Sequence, residues 1–233
     1  MTSEVQNHFL RAFEDPDWVQ SYSDGPVKFT PGFLDVHKMV NILLQERVPK
    51  EAQILVHGAG GGLELEALAD VNPTWRFVGV DPSKPMLDVA EARLAPVMDR
   101  VTMHHGFIES APTGPFDGAT SLLTLHFLEA SERIDTVRKI VGRLKPGAPF
   151  VAVHTSLPAA QANKDVWWSR YQAFAIASGV DPDRACQARE AVASMPTVYD
   201  AHVDIQILED AGLIGVSTFY SAFTWRGWIG YAA

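Results

Sequence analysis

Three glycines at alternate positions, Gly58, Gly60 and Gly62, sit between an apolar run, ILVH, and a stretch with helical spacing, LELEAL. Glycine tolerates the dihedral angles of a sharp turn and lets a ligand come into contact with the backbone. The helix that follows starts with N–H groups lacking an intrahelical acceptor, which suit electronegative ligand atoms. Asp81 closes the next apolar run, RFVGVD, 23 positions after Gly58. A carboxylate at the end of a second strand can accept from both hydroxyls of a ribose. Loop and acid together point to an adenosine-containing ligand; a tight turn with no ligand is the alternative. A dinucleotide fingerprint needs G-x-G-x-x-G/A, but the sixth position from Gly58 is Leu63, whose bulk opposes the close packing a third glycine permits. The pattern here is G-x-G-x-G.

Candidates for proton transfer stand where strands should end, the edge at which open α/β sheets bind ligands. His126 follows the fourth apolar run and is the candidate general base; packing within its loop is the competing role. His154 ends the fifth run and is a candidate substrate contact, and His57 reads as core. His104 and His105 are adjacent on a strand, so they face opposite ways and cannot readily share a metal; no metal site is expected. Tyr22, Lys28 and His37 belong to an N-terminal segment expected to cover the ligand. Trp167, Tyr171 and Phe174 can share one helix face, with Trp168 beside them, and could roof an acceptor or serve as packing. Cys186 carries no surrounding motif and reads as inert. The aromatics from Phe219 to Trp228 are explained by hairpin alternation.

The elements that must hold these residues alternate. Val36, Met39, Val40, Leu43, Leu44 and Val48 fall on one helical face, which Pro49 ends. AQILVH, RFVGVD, RVTMHHG, FDGATSLLTL and the run before His154 read as five strands. Helices separate them, with Ser83 and Ser131 as candidate N-caps. Such alternation means a parallel sheet covered on both faces. The pattern breaks over about residues 156–198, which read as helical; a helix around AHVDIQILED and a hairpin split near residues 224–227 follow. The expected organisation is a single domain over 1–233. Its parts are N-terminal cap helices (1–49), a ligand-binding core (50–155), a helical lid (156–198), and a final helix with a β-hairpin (199–233).

The 233 residues are 47% hydrophobic and 20% charged, enough for a large core. A net charge of −9 opposes general nucleic-acid binding, and a single cysteine fits a reducing cytoplasm. No 18 consecutive apolar residues occur, so no membrane association is expected.

With GVDPSKPML and LKPGAPFVAV, the glycine loop resembles that of the class I S-adenosylmethionine-dependent methyltransferases, from about Gly32 to the end. TLHFLEASER and EDAGL are most similar to tRNA wobble-uridine carboxymethyltransferase-like members. The resemblance implies a Rossmann-like, doubly wound, mainly parallel sheet whose seventh strand is antiparallel and lies in the C-terminal hairpin. It implies S-adenosylmethionine as cofactor and S-adenosylhomocysteine as product. Gly58, Ala59 and Gly60 would contact the methionine part, with Gly62 and Met86 in the same binding set. Asp81 would hold the ribose beside Pro82, Phe107 and Ile108 would flank the adenine, Leu122 would lie near the sulfonium, and Phe33 would close over the ligand.

This chain departs from the family at three points: Val56 replaces an acid before the loop, Phe107 replaces an acid after the third strand, and Ile207 stands where the wobble-uridine enzymes grip a carboxylated cofactor with arginine. An apolar side chain cannot pair that carboxylate, so ordinary S-adenosylmethionine is expected. The function implied is methyl transfer to a small-molecule acceptor by in-line displacement, in a cytoplasmic enzyme that the resemblance suggests is a homodimer. A tRNA-modifying enzyme, a nicotinamide dehydrogenase and a non-catalytic nucleoside-binding protein are the alternatives.

Overall fold

The computed structural model describes residues 25–158 and 163–233; Tyr22 lies outside them. Seven strands form one sheet in the order β3-β2-β1-β4-β5-β7-β6. They are β1 (Gln53–His57), β2 (Arg76–Asp81), β3 (Val101–His105), β4 (Gly118–Leu122), β5 (Pro149–Thr155), β6 (Leu213–Ala222) and β7 (Trp225–Ala232). β7 is antiparallel to both neighbours, and the pairs among β1–β5 are parallel. Every residue of β4 and β5 is buried, as expected of central strands covered on both faces.

The helices are α1 (Gly25–Phe29), α2 (Phe33–Gln45), α3 (Leu63–Val71), α4 (Lys84–Arg93), α5 (Ala130–Val141), α6 (Lys164–Ala177), α7 (Pro182–Ala193) and α8 (Ala201–Asp210). One face of the sheet sends Ile54, Val56, Phe77 and Val151 into a core shared with α2 and α3. The residues between them, Leu55, Val80, Phe150 and Ala152, pack on the other face with Val137 and Ile140 of α5 and Leu208 of α8. Alternation along each strand thus feeds two cores. Burial of this apolar surface is the main stabilising term.

Local signals set several boundaries. The Ser83 hydroxyl accepts from the Met86 N–H and starts α4. α5 begins two residues earlier than Ser131 as N-cap suggests, because Glu129 is its N-cap and forms a capping box with Glu132. β4 ends at Leu122, short of its apolar run, because Leu123 adopts a left-handed φ of 56°. The segment after β5 carries α6 and α7, with small apolar clusters of its own around Trp168 and Ala175. Among the described residues no helix is long and apolar enough to cross a membrane.

Candidate active site

β1 and β4 are neighbours, but the chain leaves β1 toward β2 and leaves β4 toward β5. The loops beyond their carboxyl ends therefore diverge and open a crevice, the usual place for a ligand in such sheets. Here the crevice is a cleft of about 320 Å³, part of it open to solvent, lined by Phe33, His37, Gly58, Ala59, Gly61, Leu63, Glu64, Leu122 and Leu123. Gly58 takes a φ of 74°, and a Cβ there would lie 2.0 Å from the Thr124 Oγ1. Strain and clash coincide at this position, so Gly58→Ala should lower stability by at least about 1–3 kcal/mol and weaken ligand binding. Thermal melts and calorimetric titration of the variant check both effects.

Asp81 ties the glycine loop to the second strand. One carboxylate oxygen accepts from the Gly60 N–H and the other from the Ser83 N–H, each at 2.9 Å. Burial raises the carboxyl's affinity for its proton, and these two N–H bonds oppose that shift. An ionised carboxylate has about four acceptor sites, so two remain for ligand hydroxyls. Pro82 follows directly, and its carbonyl accepts from the His105 ring at 3.0 Å. Phe107 is exposed and Ile108 buried just beyond β3. Their loop is joined to β2 by the Gly106 N–H, which donates to the Asp81 carbonyl.

The structure thus sorts the residues expected to bind the ligand. Phe33, Gly58, Ala59 and Leu122 line the cleft. Asp81, Pro82, Phe107 and Ile108 form a second group at the ends of β2 and β3. Gly60 serves the loop by bonding Asp81, and Gly61 takes the wall position instead. Gly62 packs against Ala90 of α4, and Met86 is buried on that helix, so neither faces the cleft wall.

Two titratable groups on the wall went unassigned or under-assigned in the sequence. Glu64 is buried in the first turn of α3, and its Oε1 has no well-formed hydrogen bond. Burial pushes its carboxyl up to about 8, and the Thr120 hydroxyl offsets only part of this. Its spacing from Leu68 places it on the buried face of the helix, a signal readable in the sequence. His37, from α2, packs edge-on to Phe33, and burial lowers its pKa to about 4, leaving it neutral.

The residues expected to meet an acceptor separate further. His126 lies in a short 3₁₀ turn after β4, buried, with an unpartnered Nδ1. Burial, and then the nearby charges of His154 and Arg133, hold its pKa well below 6.5. His154 is fully buried, and its Nε2 lies 3.1 Å from Asp204 of α8, which also pairs with the buried Arg133 of α5. It therefore belongs to an internal ion network rather than to the cleft wall. Tyr171 is buried against Phe29 of α1, with ring centroids 5.5 Å apart, so it joins α6 to the N-terminal helix instead of roofing an acceptor. Trp167 is half-buried, with the Arg170 guanidinium 4.3 Å above its ring. Ile207 is buried on α8, so its position offers no cleft-facing grip for a cofactor carboxylate. The Arg133–Asp204 pair has no signature in the sequence, since its partners are 71 positions apart.

A doubly wound sheet whose last strand is antiparallel, with a glycine loop after β1 and an acid after β2, gives the chain the fold of the class I S-adenosylmethionine-dependent methyltransferases. Residues 54–147 match the family described as "Methyltransferase domain". The chain is 28% identical over 151 residues to an uncharacterized methyltransferase of Anoxybacillus flavithermus, covering 64% of this chain and 68% of that protein. It is 19% identical over 228 residues to a carboxy-S-adenosyl-L-methionine synthase of Staphylococcus epidermidis, covering 97% and 98%. Among solved structures, PigF with S-adenosylhomocysteine superposes with a TM-score of 0.70 at 16% identity, over 95% of this chain and 61% of that one. The chain thus spans about three fifths of that protein's length.

Proposed function

We propose that the protein transfers the methyl group of S-adenosylmethionine to a small-molecule acceptor by in-line displacement. The observation that carries this is the cleft at the β1/β4 switch point, with the Asp81-anchored glycine loop on one side and a buried, under-bonded carboxylate in its wall. A wall of that kind suits a ligand bearing positive charge and N–H acceptors together. Gly58 and Ala59 would contact the methionine part, Asp81 the ribose hydroxyls, Phe107 and Ile108 the adenine, and Leu122 and Phe33 the region of the sulfonium. When bound, the cofactor supplies an already activated methyl group. The protein's task is then to hold the acceptor in line and keep water out.

His126 is the proposed base for an acceptor that must lose a proton. Its unpartnered Nδ1 supports this role, against which burial and the nearby His154 and Arg133 make the imidazole a weak base. His126→Ala should lower kcat about 100-fold and leave S-adenosylmethionine binding unchanged. Steady-state kinetics beside a binding titration check this; unchanged turnover removes His126 from the chemistry. Trp167 is proposed to border the acceptor at the rim of the lid, while His154 and Tyr171 act on it only through packing. A cytoplasmic setting and a homodimer complete the proposal, the first supported by the single cysteine, which is free.

A second reading is favoured by the length of one match: the relatives named carboxy-S-adenosyl-L-methionine synthase cover nearly the whole chain. On that reading S-adenosylmethionine is itself the substrate and acquires a carboxyl group. Calorimetry with S-adenosylhomocysteine tests the shared site. Mass spectrometry of S-adenosylmethionine incubated with the protein and a carboxylic-acid donor separates the readings, since carboxylation adds the mass of carbon dioxide.

A further inference from the structure

Glu64 is the one carboxylate among the described residues lining the cleft, and the architecture gives it no role within the fold. Its helix neighbour Glu66 turns outward to Arg93, 3.0 Å away. Asp81 spends one acceptor site of each oxygen on the loop. Glu64 instead points into the interior with Oε1 unbonded, on the same wall as Gly58 and Ala59. A buried carboxyl group helped only by the Thr120 hydroxyl, with Oε1 unbonded, is costly, so a position that keeps one calls for a ligand that completes it. On the reading of the cleft as the S-adenosylmethionine site, its ligand would carry an ammonium and a carboxylate at its methionine end. That carboxylate would suit the free backbone N–H groups at the start of α3; an anion there leaves the ammonium to seek an acceptor nearby.

We propose that the Glu64 carboxylate receives the α-ammonium of the ligand's methionine end, and that the cleft takes up this ligand with release of a proton. This rests on the reading of the cleft as the S-adenosylmethionine site. The free protein holds Glu64 protonated at neutral pH, because burial outweighs the Thr120 hydroxyl. An ammonium within contact distance favours the ionised form, so binding expels the proton. The other titratable group on the wall, His37 of α2, stays neutral above about pH 4 and supplies no competing proton. Affinity therefore rises with pH up to about 8, where Glu64 would ionise unaided. The ligand's own amino group also begins to lose its proton near pH 8, so the rise is read between about pH 6 and 7.5.

The test is calorimetric titration of the full chain at pH 6.5 in two buffers of different ionisation enthalpy, with three probes. S-adenosylmethionine carries both positive charges, S-adenosylhomocysteine keeps only the ammonium, and methylthioadenosine has neither. On the order of one proton should be released with each of the first two and none with methylthioadenosine. Glu64→Gln preserves size and should weaken the first two by about tenfold or more, leave methylthioadenosine unchanged and abolish the proton release. No proton release by the wild type, or equal weakening of all three probes in the variant, overturns the assignment while leaving the site reading intact. Weakening confined to S-adenosylmethionine assigns Glu64 to the sulfonium and likewise overturns it. If no probe binds the wild type, the reading of the cleft falls, and this inference with it.

Discussion

Asp81→Ala is expected to weaken S-adenosylhomocysteine binding by about 3 kcal/mol, roughly two orders of magnitude in Kd. The variant removes two things at once. It deletes the proposed acceptor for the ribose hydroxyls, and it releases the Gly60 and Ser83 N–H groups that the carboxylate holds at 2.9 Å. The second loss loosens the loop that must present Gly58 and Ala59 to the ligand. Asp81→Asn separates the contributions, because one amide oxygen can still serve one loop N–H. Its loss should be intermediate. A ligand with a ribose lacking its hydroxyls should distinguish wild type from variant only weakly. Unchanged Kd for Asp81→Ala in a calorimetric titration would discredit the ribose assignment.

Asp204→Asn is expected to cost about 3–5 kcal/mol of stability, enough to bring a domain of ordinary stability close to unfolding. The side chain sits fully buried between Arg133 of α5 and His154 of β5. Removing its charge leaves a guanidinium sealed in the interior. That guanidinium keeps its bonds to the Leu128 and Thr197 carbonyls, its 3.4 Å approach to the His154 Nε2 and its position over the Tyr199 ring, none of which carries a negative charge. The double variant Arg133→Met/Asp204→Leu should lose much less than the single variant, because a missing pair is cheaper than a broken one. Urea unfolding of the three proteins checks this; equal losses would show that the pair contributes nothing specific.

The same cluster sets the response to acid. Burial holds the His154 pKa below its ordinary 6.5. The unfolded chain therefore binds a proton there that the folded chain refuses, and stability falls as the pH drops below about 6.5. Burial alone would raise the Asp204 carboxyl, but His154 and Arg133 outweigh it and hold it below 3.8. Its contribution is present above that value and is lost as the pH falls through the still lower folded value. The Asn variant should lack this last, most acidic part of the decline.

The architecture was legible in the sequence because its signals are local. Five apolar runs separated by helical periods can only bury themselves as a parallel sheet covered on both sides. The left-handed turns at Gly58 and Gly62 require the residue type the chain supplies. Asp81 was legible too, since the acid stands at the end of its own strand. Boundaries shifted by about two residues where capping geometry decided, as at Glu129, or where a left-handed Leu123 cut β4 short.

The sequence by itself therefore determined the sheet, the glycine loop and the acid that holds it, because each depends on residues close in the chain. Tertiary structure alone decided which side chains are shut in together. Tyr171 reads as an acceptor contact until α1 is seen to cover it, and His154 until Asp204 is seen to claim it. Glu64 reads as one acid among several in its helix until the sheet buries it on the cleft wall. Burial and partnership arise between segments far apart in sequence, and they set whether a titratable group is a charge, a hydrogen-bond partner or a waiting binding site.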